Sequence, residues 1–323
     1  MRIHLLSALL VFTTTAALAD GTIDQKTQFH FGGALGGVIN AFGGKATREG
    51  VTNTTVIKGN RKLTRTGDRC ELIDLDAEKL YNLDFANKTY TVTTFEELRR
   101  RFEEQQARAA KHSEAKKEEQ QGPEWEVDFD IKSTGKKEEI NGWNTHEEIA
   151  TVIVHEKGKK LEQSGGFVLT SDMWMGPKLA AMRELAEFER RYVEKVYGHA
   201  FDAEMIKMAA AMATQPAFGK AMKAFGEHRG KFEGTAIRTT MTFETVPGPA
   251  TQSDQASNDS SSSPAGAIFG GLMRKAKERR AEKDAQSGNG ERSSMMDSLT
   301  EILRAINTAS SEDVAIPAGF RQK

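Results

Sequence analysis

Apolar and polar side chains alternate along much of the first third of the chain, with the period of two that a half-buried strand requires. Tyr81, Leu83 and Phe85 share a face against Asn82 and Asp84, Tyr90 and Val92 flank Thr91, and Ile73 and Leu75 alternate with Asp74 and Asp76. The pattern predicts strands over 24–31, 53–58, 62–66, 70–74, 79–84 and 89–93. Turn-forming residues separate several of them: Gly59-Asn60, Thr66-Gly67-Asp68 and Ala86-Asn87-Lys88. The expected arrangement is an antiparallel meander with one apolar and one wet face.

Thr94 then carries the mark of a helix N-cap, with Glu97 three residues on to complete a capping box. The helix it opens places Phe95, Leu98 and Phe102 on one side, then becomes a charged run through Glu119 that reads as solvated. Alternation returns at Trp125, where Val127, Phe129 and Ile131 interleave with Asp128, Asp130 and Lys132. Further strands are expected over 145–155, 166–171 and 234–246. Between the last two the period changes. Leu179, Met182, Leu185, Phe188, Tyr192 and Val196 recur at helical spacing over 177–198, and a second helical stretch from Asp202 holds Met205, Ile206, Met208, Met212 and Phe218. Gln252 to Pro264 is serine-rich and without an apolar anchor, and two short helices are expected beyond it, over 267–283 and 295–306. The domain reading is therefore an α+β domain over 20–247, a linker over 248–266 and a helical or disordered tail over 267–323 that adds little to the core.

The first nineteen residues stand apart. A short positive start, Met1-Arg2-Ile3-His4, precedes the apolar run Leu5 to Phe12, and Ala17 and Ala19 occupy the two small-residue positions that a signal peptidase reads. Thr13-Thr14-Thr15 ends the apolar run well short of the roughly 20 residues that a spanning helix needs. Cleavage after Ala19 and a periplasmic or secreted location are expected. No cysteine follows the cleavage site to take a lipid. A net charge of −1 gives no footprint for nucleic acid. Cys70 is the single cysteine, so no internal disulfide can form, and its place beside Glu71-Leu72-Ile73 reads as a small core position.

Candidate chemistry is thin. The glycine-rich stretch 31–45 ends in Gly44-Lys45-Ala46, where a phosphate loop needs Ser or Thr after the lysine, and Ile39 stands where its first glycine belongs. His146-Glu147-Glu148 lacks a second histidine at Ala150, as a zinc-protease helix would require. Ser164-Gly165-Gly166 lacks the upstream glycine of a nucleophile elbow. The expectation is a non-enzyme with no cofactor and no metal. Ala267 to Arg280 combines Ile268, Leu272 and Met273 with five basic residues, a pattern that can touch anionic lipid headgroups.

The runs Thr55 to Lys62, Leu72 to Tyr81 and Lys88-Thr89-Tyr90, with Ser133 to Gly142 and Val168 to Trp174, resemble the bacterial family called domain of unknown function 4412 over roughly residues 24–247. Where that family often has a cysteine after its Ile-x-Gly step, this chain has Trp143-Asn144-Thr145. The family is similar in turn to periplasmic lipoprotein carriers of the LolA and LppX type. The resemblance implies a curved, incomplete antiparallel barrel covered on one face by helices, with a lipid or lipoprotein acyl chain held between. On that reading the ligand face is Ile73, Leu75, Tyr81, Leu83, Tyr90 and Val92, lidded by Met173, Trp174 and Met175. The alternative is a structural or assembly protein with a fully packed core and a tail that docks a partner or a membrane.

Overall fold

The computed structural model describes residues 20–32, 49–114, 124–198, 227, 232–248 and 292–323. The signal segment, most of the glycine-rich stretch, the helical stretch from Asp202, the serine-rich linker and the basic segment 267–280 lie outside the described residues.

Among the described residues, twelve strands form one sheet. In chain order they are β1 (Gly21–Phe31), β2 (Val51–Lys58), β3 (Arg61–Thr66), β4 (Arg69–Asp74), β5 (Lys79–Asp84), β6 (Thr89–Thr94), β7 (Trp125–Ile140), β8 (Trp143–Glu156), β9 (Gly166–Gly176), β10 (Thr235–Val246), β11 (Ser293–Ile306) and β12 (Arg321–Gln322). The order across the sheet is β12-β6-β5-β4-β3-β2-β1-β11-β10-β9-β8-β7, open at both ends. All neighbours run antiparallel except β12, which lies parallel to β6. Among the described residues, helices α1 (Phe95–Glu114), α2 (Leu161–Ser164) and α3 (Ala180–Tyr197) and a 3-10 turn over Glu312–Val314 complete the regular structure.

The meander follows its turn chemistry. Gly59 and Gly67 adopt φ of 60° and 57°, the left-handed region that a tight hairpin demands. The longest hairpin, β7–β8, closes at Asn141-Gly142 with φ of 53° and 85°, the pair of positive values that defines a type I′ turn. Its tip curls back over the sheet. Asn141 Nδ2 donates to Glu301 Oε1 and to the Ile302 carbonyl, both at 2.9 Å, although β9 and β10 separate β8 from β11. Arg238 holds Glu301 at 2.7 Å and Glu138 at 3.4 Å, and Ile140 at the end of β7 is buried.

Both long helices lie on one face, at β1, β2, β6 and β11. Thr94 caps α1, its Oγ1 accepting the Glu97 N–H at 3.1 Å, but the Glu97 carboxylate turns to Arg101 and leaves the box half made. Phe95 meets Tyr192 and Phe102 meets Tyr197, with ring centroids 5.5 and 4.8 Å apart, so α1 rests on α3. Beneath them Ile23, Ile57, Ile73, Leu75 and Ile302 form a core with Phe188 and Val196. The first turn of α3 is tied to the sheet: Leu179 N–H donates to Thr235 Oγ1 and Ala181 N–H to Asn307 Oδ1, each at 3.1 Å.

The tail departs from expectation. Residues 295–306 are not a helix but most of β11, paired with β1 on one edge and β10 on the other. Met296, Leu299, Ile302 and Ala305 recur every three residues and favour a helix locally, yet two waiting strand edges override a propensity worth only tenths of a kcal/mol per residue. The boundary at 247 therefore does not hold for 292–323. The second face of β2–β5 is covered as well, because Val314, Ile316 and Phe320 pack on Val56, Leu63, Cys70, Leu72 and Leu83.

Ending the chain at residue 291 deletes β11 and this cover. The loss of Ile302 alone corresponds to about 2–5 kcal/mol, against a whole-domain stability of roughly 5–15 kcal/mol. The truncated protein should lose its cooperative thermal transition. Full-length cooperativity in the truncation, measured by circular dichroism, would remove β11 from the centre of the fold.

Candidate functional site

The nine residues expected to line one ligand face are divided among four places. Ile73 and Leu75 are fully buried under α3, in the core with Phe188 and Val196. Tyr81, Leu83 and Tyr90 face the opposite way and pack with Cys70, Val314 and Phe320 under the C-terminal segment. Val92 pairs with Tyr81 and shares its side of the sheet. The ladder forces this split. Ile73 stands opposite Leu80, whereas Cys70 stands opposite Leu83, so the apolar residues of β4 and β5 serve both faces. Met173 and Met175 lie on β9, six places from β4 across the sheet, packed with Ala150, Phe129, Ile131 and Phe232. Trp174, between them, projects from the other side of β9, where its register partners are Glu147 and Arg238. These three therefore do not lid the β4–β6 face.

A larger apolar surface lies in the second half of the sheet. Val152, Val154 and Leu169 are buried with Trp125, Val127, Phe129, Phe167, Met241 and Phe243 against them. The Phe167 and Phe243 rings stack at 5.6 Å and 13°, and Trp125 stands 6.3 Å from Phe167. Register places this field on the helix-bearing face, since Met296 and Ser298 of β11 alternate in phase with Ile302 and stand opposite Phe243 and Met241. Among the described residues, the side chains clustered here come only from strands and from Phe232. Alternation in Val127-Asp128-Phe129-Asp130-Ile131 made β7 legible. Which face it joined depended on the position of β11, which the sequence reading had made a helix. One polar group sits in the field: Ser171, on β9 between Leu169 and Met173, is 1% exposed and its hydroxyl has no hydrogen-bond partner.

Over β3–β6 the same face is concave and polar beyond the reach of the helices. A trough of about 720 Å³ is lined there by Thr64, Thr66, Arg69, Glu71, Asn82, Asp84 and Thr91, with Lys323 at one side. Burial pushes the Cys70 thiol beneath it up to about 11, so at neutral pH it is a protonated core residue.

The opposite face of β7–β10 carries the titratable groups. Glu147 is 3% exposed and its Oε2 lies 2.9 Å from Lys136 Nζ. Hydrogen bonding from Thr134 and Lys136 holds its carboxyl below the usual range. Asp172 is pushed the other way, first by burial and then by the charge of Glu147, and its Oδ1 has no hydrogen-bond partner. His155 keeps both ring nitrogens engaged, Nε2 with Asp128 Oδ2 at 2.9 Å and Nδ1 with the Glu156 carbonyl at 3.1 Å. Burial works against its charge, but the Asp128 carboxylate and the Glu156 carbonyl outweigh it and the histidine titrates above its ordinary value. Among the described residues no three His, Cys, Asp or Glu side chains are grouped to hold a metal, and no helix is long and apolar enough to cross a membrane. Comparison with protein-family models and with curated proteins finds no match to the chain.

Two substitutions test these environments. Asp172→Asn removes a carboxylate that the fold holds poorly when charged, so it should raise the melting temperature at pH 7, with the gain shrinking toward pH 4 as wild type takes up its proton. A gain independent of pH would assign the effect to packing. His155 contributes stability that is full below its unfolded value near 6.5 and lost as pH rises through its higher folded value. His155→Gln should therefore cost more stability at pH 5.5 than at pH 8.5. Equal cost at both values would show that the Asp128 pair does not bias its proton.

Proposed function

We propose that the protein is an exported, non-enzymatic binding protein of the half-barrel carrier type, and that it holds a lipid or acyl chain on the apolar face of β7–β10. One observation carries this reading. The helix-bearing face, packed by α1 and α3 over β1, β2, β6 and β11, continues over β7–β10 as one field of aliphatic and aromatic side chains, with Val152, Val154 and Leu169 at its centre and Val127, Phe167 and Met241 against them. A field of aromatic and aliphatic side chains with a few methionines suits an acyl chain of variable length. The ligand face is thus moved from β4–β6, where the sequence reading put it, to the other end of the sheet.

A second reading is favoured by one fact: Val152 and Val154 are 0% exposed, as the centre of a packed core would be. The protein is then structural, with no room for a ligand.

Native mass spectrometry of the full chain purified from its own cells separates the two. The carrier reading expects a bound species of several hundred daltons that organic solvent releases. Substituting the half-buried Phe243 by Asn should remove that adduct and keep cooperative unfolding. A clean unliganded mass across preparations would leave the structural reading standing.

A further inference from the structure

Several opposite charges that face each other across this sheet close into pairs. Arg238 meets Glu301 at 2.7 Å, Arg304 meets Asp24 at 2.7 Å, and Arg61 meets Asp74 at 2.8 Å. Each is a direct cross-strand pair. On β3–β6 one facing pair stays open, as Lys26 opposite Glu301 and Lys79 opposite Asp74 also do. Arg69 stands directly opposite Asp84, yet Asp84 gives its carboxylate to Asn87 instead, accepting the backbone N–H at 3.0 Å and Nδ2 at 2.7 Å. Glu71, two residues from Arg69 on the same side of β4, has no ion pair either among the described residues. Two unspent charges of opposite sign thus stand about 7 Å apart along one strand, over a trough of about 720 Å³, within the range of small-ligand sites of roughly 300–1,000 Å³.

Most of the side chains around them carry donors or acceptors, with Leu83 and Tyr90 also in the lining. In the ladder Thr64, Glu71, Asn82 and Thr91 form one row across four strands, and all four line the trough. A guanidinium offers a planar fork for an oxyanion, and a carboxylate beside it offers a counter-charge to an ammonium. We propose that this trough is a second ligand site, independent of the apolar face, and that it takes a compact zwitterion carrying an oxyanion and an ammonium group a few ångströms apart. Arg69 binds the oxyanion, Glu71 the ammonium, and the hydroxyl and amide row fixes the orientation. Phosphoethanolamine has this chemistry, either free or as a lipid headgroup.

The probe is O-phosphoethanolamine, titrated into the full chain and followed by amide chemical shifts, with inorganic phosphate and ethanolamine as single-charge controls. Saturable shifts should appear at Thr64, Asn82 and Thr91. Arg69→Gln should weaken binding on the order of tenfold or more, and Glu71→Gln should reduce phosphoethanolamine to the level of phosphate. Both positions lie on the solvent-open side of the sheet, and an unchanged melting curve confirms the fold of each variant. Co-sedimentation with phosphatidylethanolamine against phosphatidylcholine vesicles separates the sources. Retention on the former alone indicates the lipid headgroup, whereas free binding without retention indicates a soluble zwitterion. No saturable shift and no vesicle preference, or binding that both variants leave untouched, would overturn the site, whatever the apolar face proves to bind.

Discussion

Everything in this architecture hangs on the pairing of one strand. β11 has β1 on one edge and β10 on the other, so the two halves of the sheet, one formed before residue 95 and the other after residue 124, are joined through a segment from the last tenth of the chain. Ten residues of β1, Thr22 to Phe31, find partners on it. On the helix side β11 puts Ile302 into the core under α3. On the other it places Glu301 where Arg238 and Asn141 reach it, and so fastens the curled tip of the β7–β8 hairpin. Backbone pairing, helix docking and curvature thus meet on one strand.

That arrangement explains why one face of a single sheet can do different things along its width. Under the helices it is an ordinary core. Over β3–β6 the rows beyond the helices turn to threonine, asparagine and charge. Over β7–β10 they turn aliphatic and aromatic. The other face reverses the pattern, apolar where the C-terminal segment covers β2–β5 and rich in charged groups such as Glu147, Asp172 and His155 across β8 and β9. Neither half alone has the polarity of a simple two-layer protein.

Much of this was legible in sequence, for local reasons. The first six strands and the turns at Gly59 and Gly67 follow from alternation and from residues that tolerate positive φ. The α3 stripe from Leu179 to Val196 follows from helical spacing. Two things were not legible, and both are non-local. Residues 295–306 carry leucine, methionine and arginine at helix-compatible spacing, and only the waiting edges of β1 and β10, each far away in sequence, make them a strand. The ligand face failed for a related reason. Alternation says that Ile73 and Leu72 point to opposite sides, but not that both sides are covered, because the cover of the second comes from Val314, Ile316 and Phe320 in the supposed tail. Met173 and Met175 suggested a lid by their flexibility, whereas their place in the sheet was fixed by register.

If β11 is the strand that joins the two halves, its amides are among the last to open. Hydrogen exchange on the full chain, read at Leu299, Thr300 and Glu301, measures this directly, because these residues pair on both edges. Our account predicts that they exchange only by global unfolding, with the same opening free energy as Ile57 and Val152 in the two halves. Exchange at Leu299 to Glu301 as fast as at the exposed Arg321 and Gln322, with Ile57 and Val152 still protected, would contradict it.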